Sequence, residues 1–209
     1  MIQGADVNHF HKVTNWGLAS QNIRFLVAKA TEGSDFVDPT LGVHLAGFRA
    51  SSLDLFIAYH VARAGDPAAQ AAFMCKRVGP LGPHERVALD LERSAGVPFA
   101  WIDAFYRALI GDGTDPMIES VPGLYGSKGS WAAAGGPPDW DLAKYVWLWA
   151  PKYGAEPDAA ALPGPWTGIG ERFWQDSQTA QIPGIDCSNG GCDQNMFLGT
   201  QDELTTFAA

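Results

Sequence analysis

Short apolar runs recur along the chain, bounded by Gly, Pro or polar clusters. Their length and their content of β-branched and aromatic residues predict strands rather than helices. Eight such runs stand out: residues 4–10 (GADVNHF), 24–33 (RFLVAKATEG), 55–63 (LFIAYHVAR), 86–92 (RVALDLE), 122–127 (PGLYGS), 145–151 (YVWLWAP), 172–178 (RFWQDSQ) and 192–198 (CDQNMFL). Three intervening segments have helical patterns. Residues 38–50 and 66–78 each open with Asp-Pro, a capping side chain followed by a residue suited to the first helical position. Residues 98–111 place Phe99, Ile102, Phe105, Tyr106 and Leu109 at helical spacing and stop at Gly111. After residue 127 the connections turn Gly/Pro-rich and predict no long helix, and residues 154–170 read as a loop.

Strand–helix alternation implies a parallel sheet with right-handed crossovers. Eight strands in 209 residues predict a small, modified TIM-like β/α barrel, incomplete in its last helices and forming one domain over residues 1–209. Such barrels carry their chemistry where strands end. The polar residues of this chain follow that rule. The first run reaches Asp6, the second Lys29 and Glu32, and the third Tyr59 and His60. The fourth reaches Asp90 and Glu92, the fifth Tyr125, the sixth Trp149 and the seventh Gln175, while the eighth holds Asp193.

The sequence VALDLE is the sharpest of these signals. Strand alternation sends Asp90 and Glu92 to one face, with Cα atoms about 6.5–7 Å apart. Two carboxylates this close do not ionise independently, so one is pushed towards its protonated form and can serve as a general acid. Glycosidic cleavage needs such a proton donor together with negative charge near an oxocarbenium-like carbon. An exposed strand end would show the same two residues, but the further acids Asp6 and Asp193 at other strands favour chemistry.

Composition narrows the partners. With 14 Lys+Arg against 23 Asp+Glu, the net charge of −9 repels phosphate backbones and argues against nucleic acid. Eight Trp, eleven Phe and five Tyr exceed what a core of this size needs, and flat aromatic faces suit sugar rings. Trp16, Trp101, Trp131, Trp140 and Trp166 are nevertheless read as packing residues. No apolar run approaches the roughly 20 residues of a membrane span. The N-terminus MIQGADVNHF has neither a basic nor an apolar leader region, so no signal peptide is expected. Cys187 and Cys192 close a small disulfide loop or stay as free thiols, and Cys75 reads as core. The histidines show no metal-ligand spacing.

Taken in order, GADVNHF, KATEG, AYHVAR, LDLE, GLYGS, LWAPKYG, FWQ and CDQNMFLG resemble the family 25 glycoside hydrolases, the Chalaropsis-type lysozymes, over residues 4–199. The resemblance implies a barrel of eight strands and about five helices. It implies hydrolysis of the β-1,4 bond between N-acetylmuramic acid and N-acetylglucosamine in bacterial peptidoglycan, with net retention and without metal or cofactor. Glu92 then matches the general acid, and Asp90 its partner that orients the substrate's N-acetyl group. Asp6 and Asp193 complete an acidic floor. Tyr59, Tyr125 and Trp149 line the groove, with Lys29, Glu32, His60 and Gln175 as further binding residues. Substrate-assisted attack and a carboxylate nucleophile both stay open. Three departures stand out: Asp176 where Tyr is common, read as a polar loop residue; Val61 where Phe is common; and the CSNGGC insert before Asp193.

Two other readings compete with this one. Chitinase-type barrels carry a longer acidic run, DxxDxDxE, whose upstream acids HERVALDLE lacks. A catalytically silent glycan-binding barrel or a structural virion component would not need four crowded acids. The expected partner is the glycan strand of bacterial peptidoglycan, met by a monomer without stable membrane association. A wall-cleaving chain without a leader fits a bacteriophage endolysin held in the host cytoplasm until release. A virion-associated lysin or a bacterial enzyme exported by another route are the alternatives.

Overall fold

In a computed structural model, described for residues 1–91, 96–111, 116–170, 172–188 and 190–209, the chain forms a closed barrel with its helices outside. The strands are β1 (Ile2–Val7), β2 (Phe25–Glu32), β3 (Phe36–Val37), β4 (Leu55–Val61), β5 (Glu85–Asp90), β6 (Gly123–Tyr125), β7 (Trp147–Pro151), β8 (Phe173–Ala180) and β9 (Cys192–Phe197). Pairing runs β1-β9-β8-β7-β6-β5-β4-β2, and β1–β2 pairing closes the ring, so the eight runs read from sequence are the eight barrel strands. The two-residue β3 folds back antiparallel onto the end of β2.

One expectation about direction fails. β1, β2 and β4 to β8 run parallel, but β9 is antiparallel to both neighbours, β8 and β1. A parallel return needs a crossover, usually a helix, whereas β8 and β9 are joined as a long hairpin. The Cys187–Cys192 disulfide, Cα atoms 5.0 Å apart, ties the end of that connection to the start of β9. The reverse direction brings the beginning of β9 to the mouth where the other strands end.

Among the described residues there are six α-helices: α1 (Trp16–Asn22), α2 (Leu41–Arg49), α3 (Pro67–Val78), α4 (Phe99–Ile110), α5 (Lys128–Ala133) and α6 (Gln201–Ala208). α3 starts as expected, with Asp66 accepting from the Ala68 and Ala69 amides and Pro67 in the first turn. α4 ends at Gly111, whose φ of 75° suits glycine. α2 starts later than expected, because Asp38 turns its carboxylate to other partners and Thr40 takes the cap position. Residues 154–170 hold two short 3₁₀ turns rather than a bare loop. Trp166 from this tract is fully buried and donates to the Val146 carbonyl at 2.9 Å. With Trp131 and Trp140 it forms a ring cluster with centroids 5.2–5.9 Å apart. These indoles belong to the outer core, which α4 and the barrel's outer face share, and fill it where long helices are lacking. Cys75 lies at the border of this outer core, half-buried, rather than inside it.

The barrel interior is a separate core. Phe25, Val27, Leu55, Ile57, Ala88, Trp147, Phe173 and Phe197 fill it, as alternation along each strand requires. α6 closes its lower end. Leu204 and Ala208 join the inner cluster, and Phe207 meets Trp147, Phe173 and Phe197 at 5.5–6.0 Å. Arg86 donates to the Phe207 and Ala208 carbonyls, satisfying acceptors at the helix end.

Interior ring packing needs bare backbone at two places. A Cβ on Gly123 would sit 2.2 Å from the Trp147 ring, and one on Gly4 would sit 2.4 Å from Phe25. Gly123→Ala is therefore expected to lower unfolding free energy by about 1–3 kcal/mol through overpacking. Urea denaturation checks this, and an unchanged midpoint would show that the Trp147 layer can yield.

Candidate active site

The strand ends gather their polar residues at one mouth. A cavity of about 130 Å³ there is lined by Asp6, Asn8, His9, Phe10, Lys29, Tyr59, Val61, Asp90, Tyr125, Trp149, Gln175 and Asp193. A larger space of about 1020 Å³ opens at the lower end. Its Glu85 and Arg86 are already engaged, Glu85 with Arg49 and Arg86 with the end of α6. The upper cavity holds the concentration of chemistry.

Asp6 is its hub. It ends an inward-facing row of β1, is buried with 5% exposure, and stands opposite Asp193 in the β1–β9 register. Its Oδ2 accepts from Gln175 Nε2 at 2.9 Å and from Asn195 Nδ2 at 2.8 Å. Burial first, and then the facing Asp193 carboxylate, hold the Asp6 carboxyl well above the usual carboxylate range. The two amide donors pull the other way and do not prevail. A hydrogen bond links Asp6 to Asp193, so the pair holds one proton between them when exposed carboxyls have lost theirs.

Each amide also fixes an aromatic wall residue. Tyr125 Oη donates to Gln175 Oε1 at 2.7 Å, and Trp149 Nε1 donates to Asn195 Oδ1 at 2.7 Å. With both carbonyl oxygens occupied, both NH₂ groups must point at Asp6. The rings pack on one another, Tyr125 to Trp149 at 4.4 Å and Tyr59 to Trp149 at 6.2 Å. Burial, and after it the charges of Asp6 and Asp90, raise the Tyr59 phenol well above its ordinary value. Asn8 hydrogen-bonds to it, and the charge of Asp193 adds to the same upward effect.

Of the residues expected from sequence, Asp6, Asp90, Asp193, Tyr59, Tyr125, Trp149, Gln175 and Lys29 all line the cavity. Glu92 lies outside the described residues. His60 does not join the site. It is fully buried on the outer face of β4, between Thr31 (2.8 Å) and Gln70 (3.1 Å), stacked on Phe105. Burial depresses its pKa to about 4, so it is a neutral packing residue. Glu32 stands at the rim as the shared partner of Lys29 and Arg63 rather than as a lining residue. Desolvation would raise its pKa, but these two cations bring it below the ordinary value. Asp176 belongs to β8, not to a loop, and accepts from Gln194 outside the cavity.

Asn195, Asn8, His9 and Phe10 escaped the sequence reading. Asn195 was signalled by its place two residues after Asp193 on the same strand face. Asn8 and His9 follow β1 immediately, at the strand end where barrel chemistry is expected. Among the described residues no group of three or more His, Cys, Asp or Glu is placed to hold a metal ion.

The arrangement offers a proton shared by buried Asp6 and half-buried Asp193, a further carboxyl at Asp90, and tilted and edge-on aromatic rings along one wall. Comparison with known proteins agrees with that chemistry. The Glycosyl hydrolases family 25 pattern matches residues 5–185. The N,O-diacetylmuramidase of Chalaropsis sp is 27% identical, with 99% of each chain covered. The bacterial lysozyme from Streptomyces coelicolor superimposes with a TM-score of 0.81 at 24% identity, covering 99% of this chain and 96% of that one. A muramidase from Trichobolus zukalii gives 0.80 at 25% identity, covering 100% and 99%.

Proposed function

The chain belongs to the Glycosyl hydrolases family 25 and is a glycoside hydrolase of the lysozyme type, and from that premise we propose that it cleaves the β-1,4 bond between N-acetylmuramic acid and N-acetylglucosamine in bacterial peptidoglycan with net retention. The observation that carries the proposal is the meeting of Asp6, Asp90 and Asp193 in one aromatic-walled cavity at the barrel mouth. Flat rings of Tyr59, Tyr125 and Trp149 give the apolar faces of sugar rings a place to rest.

In the proposed mechanism Glu92 protonates the leaving oxygen. Asp90, two residues earlier, is the partner that orients and polarises the 2-acetamido group for attack on the anomeric carbon. The Asp6–Asp193 pair supplies one negative charge at the floor. That charge favours the oxocarbenium-like transition state and opposes ionisation of the acid. Gln175 and Asn195 act through Asp6, keeping Tyr125 and Trp149 in place.

The test is digestion of purified peptidoglycan, followed by mass spectrometry of the fragments and their reducing ends. Muramic acid reducing ends of retained anomeric configuration are expected. Glucosamine reducing ends would overturn the bond assignment, and inverted products would overturn the stereochemistry.

A further inference from the structure

The turn after β1 places two rings at the cavity mouth that the proposed mechanism does not use. Residues 8–11 close on themselves: the Asn8 and His11 amides each donate to the other's carbonyl at 3.2 Å, and the Phe10 amide donates to Asn8 Oδ1 at 2.8 Å. This backbone holds Phe10 with 62% of its surface exposed, packed on the His9 ring at 3.9 Å. His9 is itself anchored. Its Nδ1 lies 2.7 Å from Asp38 Oδ2, and its amide donates to the same oxygen at 3.2 Å. Asp38 is buried, and its other oxygen accepts from the Thr40 amide and hydroxyl. A buried carboxylate is costly unless fully engaged, and here much of that engagement orients a partly exposed imidazole. Phe36 of β3 extends the wall, 6.0 Å from His9, with the Lys29 ammonium 5.1 Å from its ring centre. His9, Phe10 and Lys29 share one cavity with the three carboxylates.

We propose that the His9–Phe10 wall is a sugar-binding subsite continuous with the catalytic cavity, taking the N-acetylhexosamine ring next to the scissile bond. Phe10 offers its exposed face to the C–H face of that ring. Asp38 holds Nδ1, which leaves Nε2 as the imidazole atom available to a hydroxyl or acetamido group of the sugar. Such pre-positioned rings lose little freedom on binding, so their contacts appear as affinity. The inference rests on the glycan-hydrolase reading and deepens it.

The experiment compares wild type, Phe10→Ala, Phe10→Trp and Asp38→Asn on soluble, uncross-linked strands of alternating N-acetylglucosamine and N-acetylmuramic acid. Phe10→Ala is expected to raise KM roughly three- to tenfold with kcat changed less than twofold, the range of a lost ring contact. Phe10→Trp restores KM, and Asp38→Asn raises it. An unchanged KM in Phe10→Ala, or a fall in kcat alone, overturns the subsite, as does a failure of Trp to restore. Should wild type release no reducing ends, the hydrolase reading fails by itself. The same variants are then compared by calorimetric binding of the same strands, where equal affinity of wild type and Phe10→Ala overturns the subsite.

Discussion

Replacing Glu92 with Gln is expected to lower kcat on peptidoglycan by about 10²–10⁴-fold, the usual contribution of a positioned general acid. Glycan affinity should stay within a few-fold of wild type, because the amide keeps the shape and much of the hydrogen bonding of the carboxyl while lacking the proton it must donate. Reducing-end release and strand binding, measured side by side, separate the two quantities. Asp90→Asn is the companion. Under acetamido-assisted attack it too lowers kcat, because a neutral amide polarises the acetamido N–H less than a carboxylate does. A Glu92→Gln enzyme within tenfold of wild type would remove Glu92 from the acid role and shift attention to the proton held by Asp6 and Asp193.

The Asp6→Asn substitution separates stability from chemistry. Folded Asp6 keeps its proton far above the usual carboxylate range because it is buried and faces Asp193. In the unfolded chain it ionises near pH 3.9. Between those two values the folded state binds more protons than the unfolded one. Wild type therefore loses stability as pH rises through that window. Asn carries no such linkage. It also copies the protonated acid: its oxygen can accept from Gln175 and Asn195, and its NH₂ can donate to Asp193. The variant is expected to be more stable than wild type at neutral pH by about 1–3 kcal/mol. In a chain of this size each kcal/mol moves the melting temperature by about 2–4 °C. The advantage should shrink on acidification towards pH 4. Asp6→Ala should do the opposite, since two buried amide donors lose their acceptor at about 1–3 kcal/mol each. Thermal unfolding across pH 4–8 decides the matter. A stability difference that does not change with pH would mean that Asp6 is ionised in the folded protein.

Both substitutions probe residues that were visible in the sequence, yet the relation that gives Asp6 its properties was not. Asp6 and Asp193 are 187 positions apart, and only ring closure through β1–β9 sets them opposite one another. The reach of Asp38 to His9, from the start of the α2 region to the turn after β1, is likewise a tertiary event. Local pattern had assigned Asp38 to a helix cap, a role that depends only on neighbours in sequence. α6 was legible but overlooked: Thr200 and Glu203 form a capping box, a signal carried by spacing alone.

Local sequence determined what depends on local physics. β-branched and aromatic runs marked all eight barrel strands, Asp66-Pro67 and the apolar spacing of residues 99–109 marked α3 and α4, and polar residues at strand ends marked the mouth. Tertiary structure alone decided direction and facing. Alternation states that Tyr59 and His60 point to opposite sides, not which side is the cavity. Lys29 follows the alternation of Phe25 and Val27 inward beside Tyr59, and a register shift between Lys29 and Thr31 then turns Thr31 outward beside His60. The antiparallel course of β9 makes Asp193 an opening residue of its strand that nonetheless meets the closing residues of the others. Strand propensity is a property of a few consecutive side chains, whereas direction, register and the pairing of Asp6 with Asp193 are settled only when the ring closes and each strand meets two neighbours.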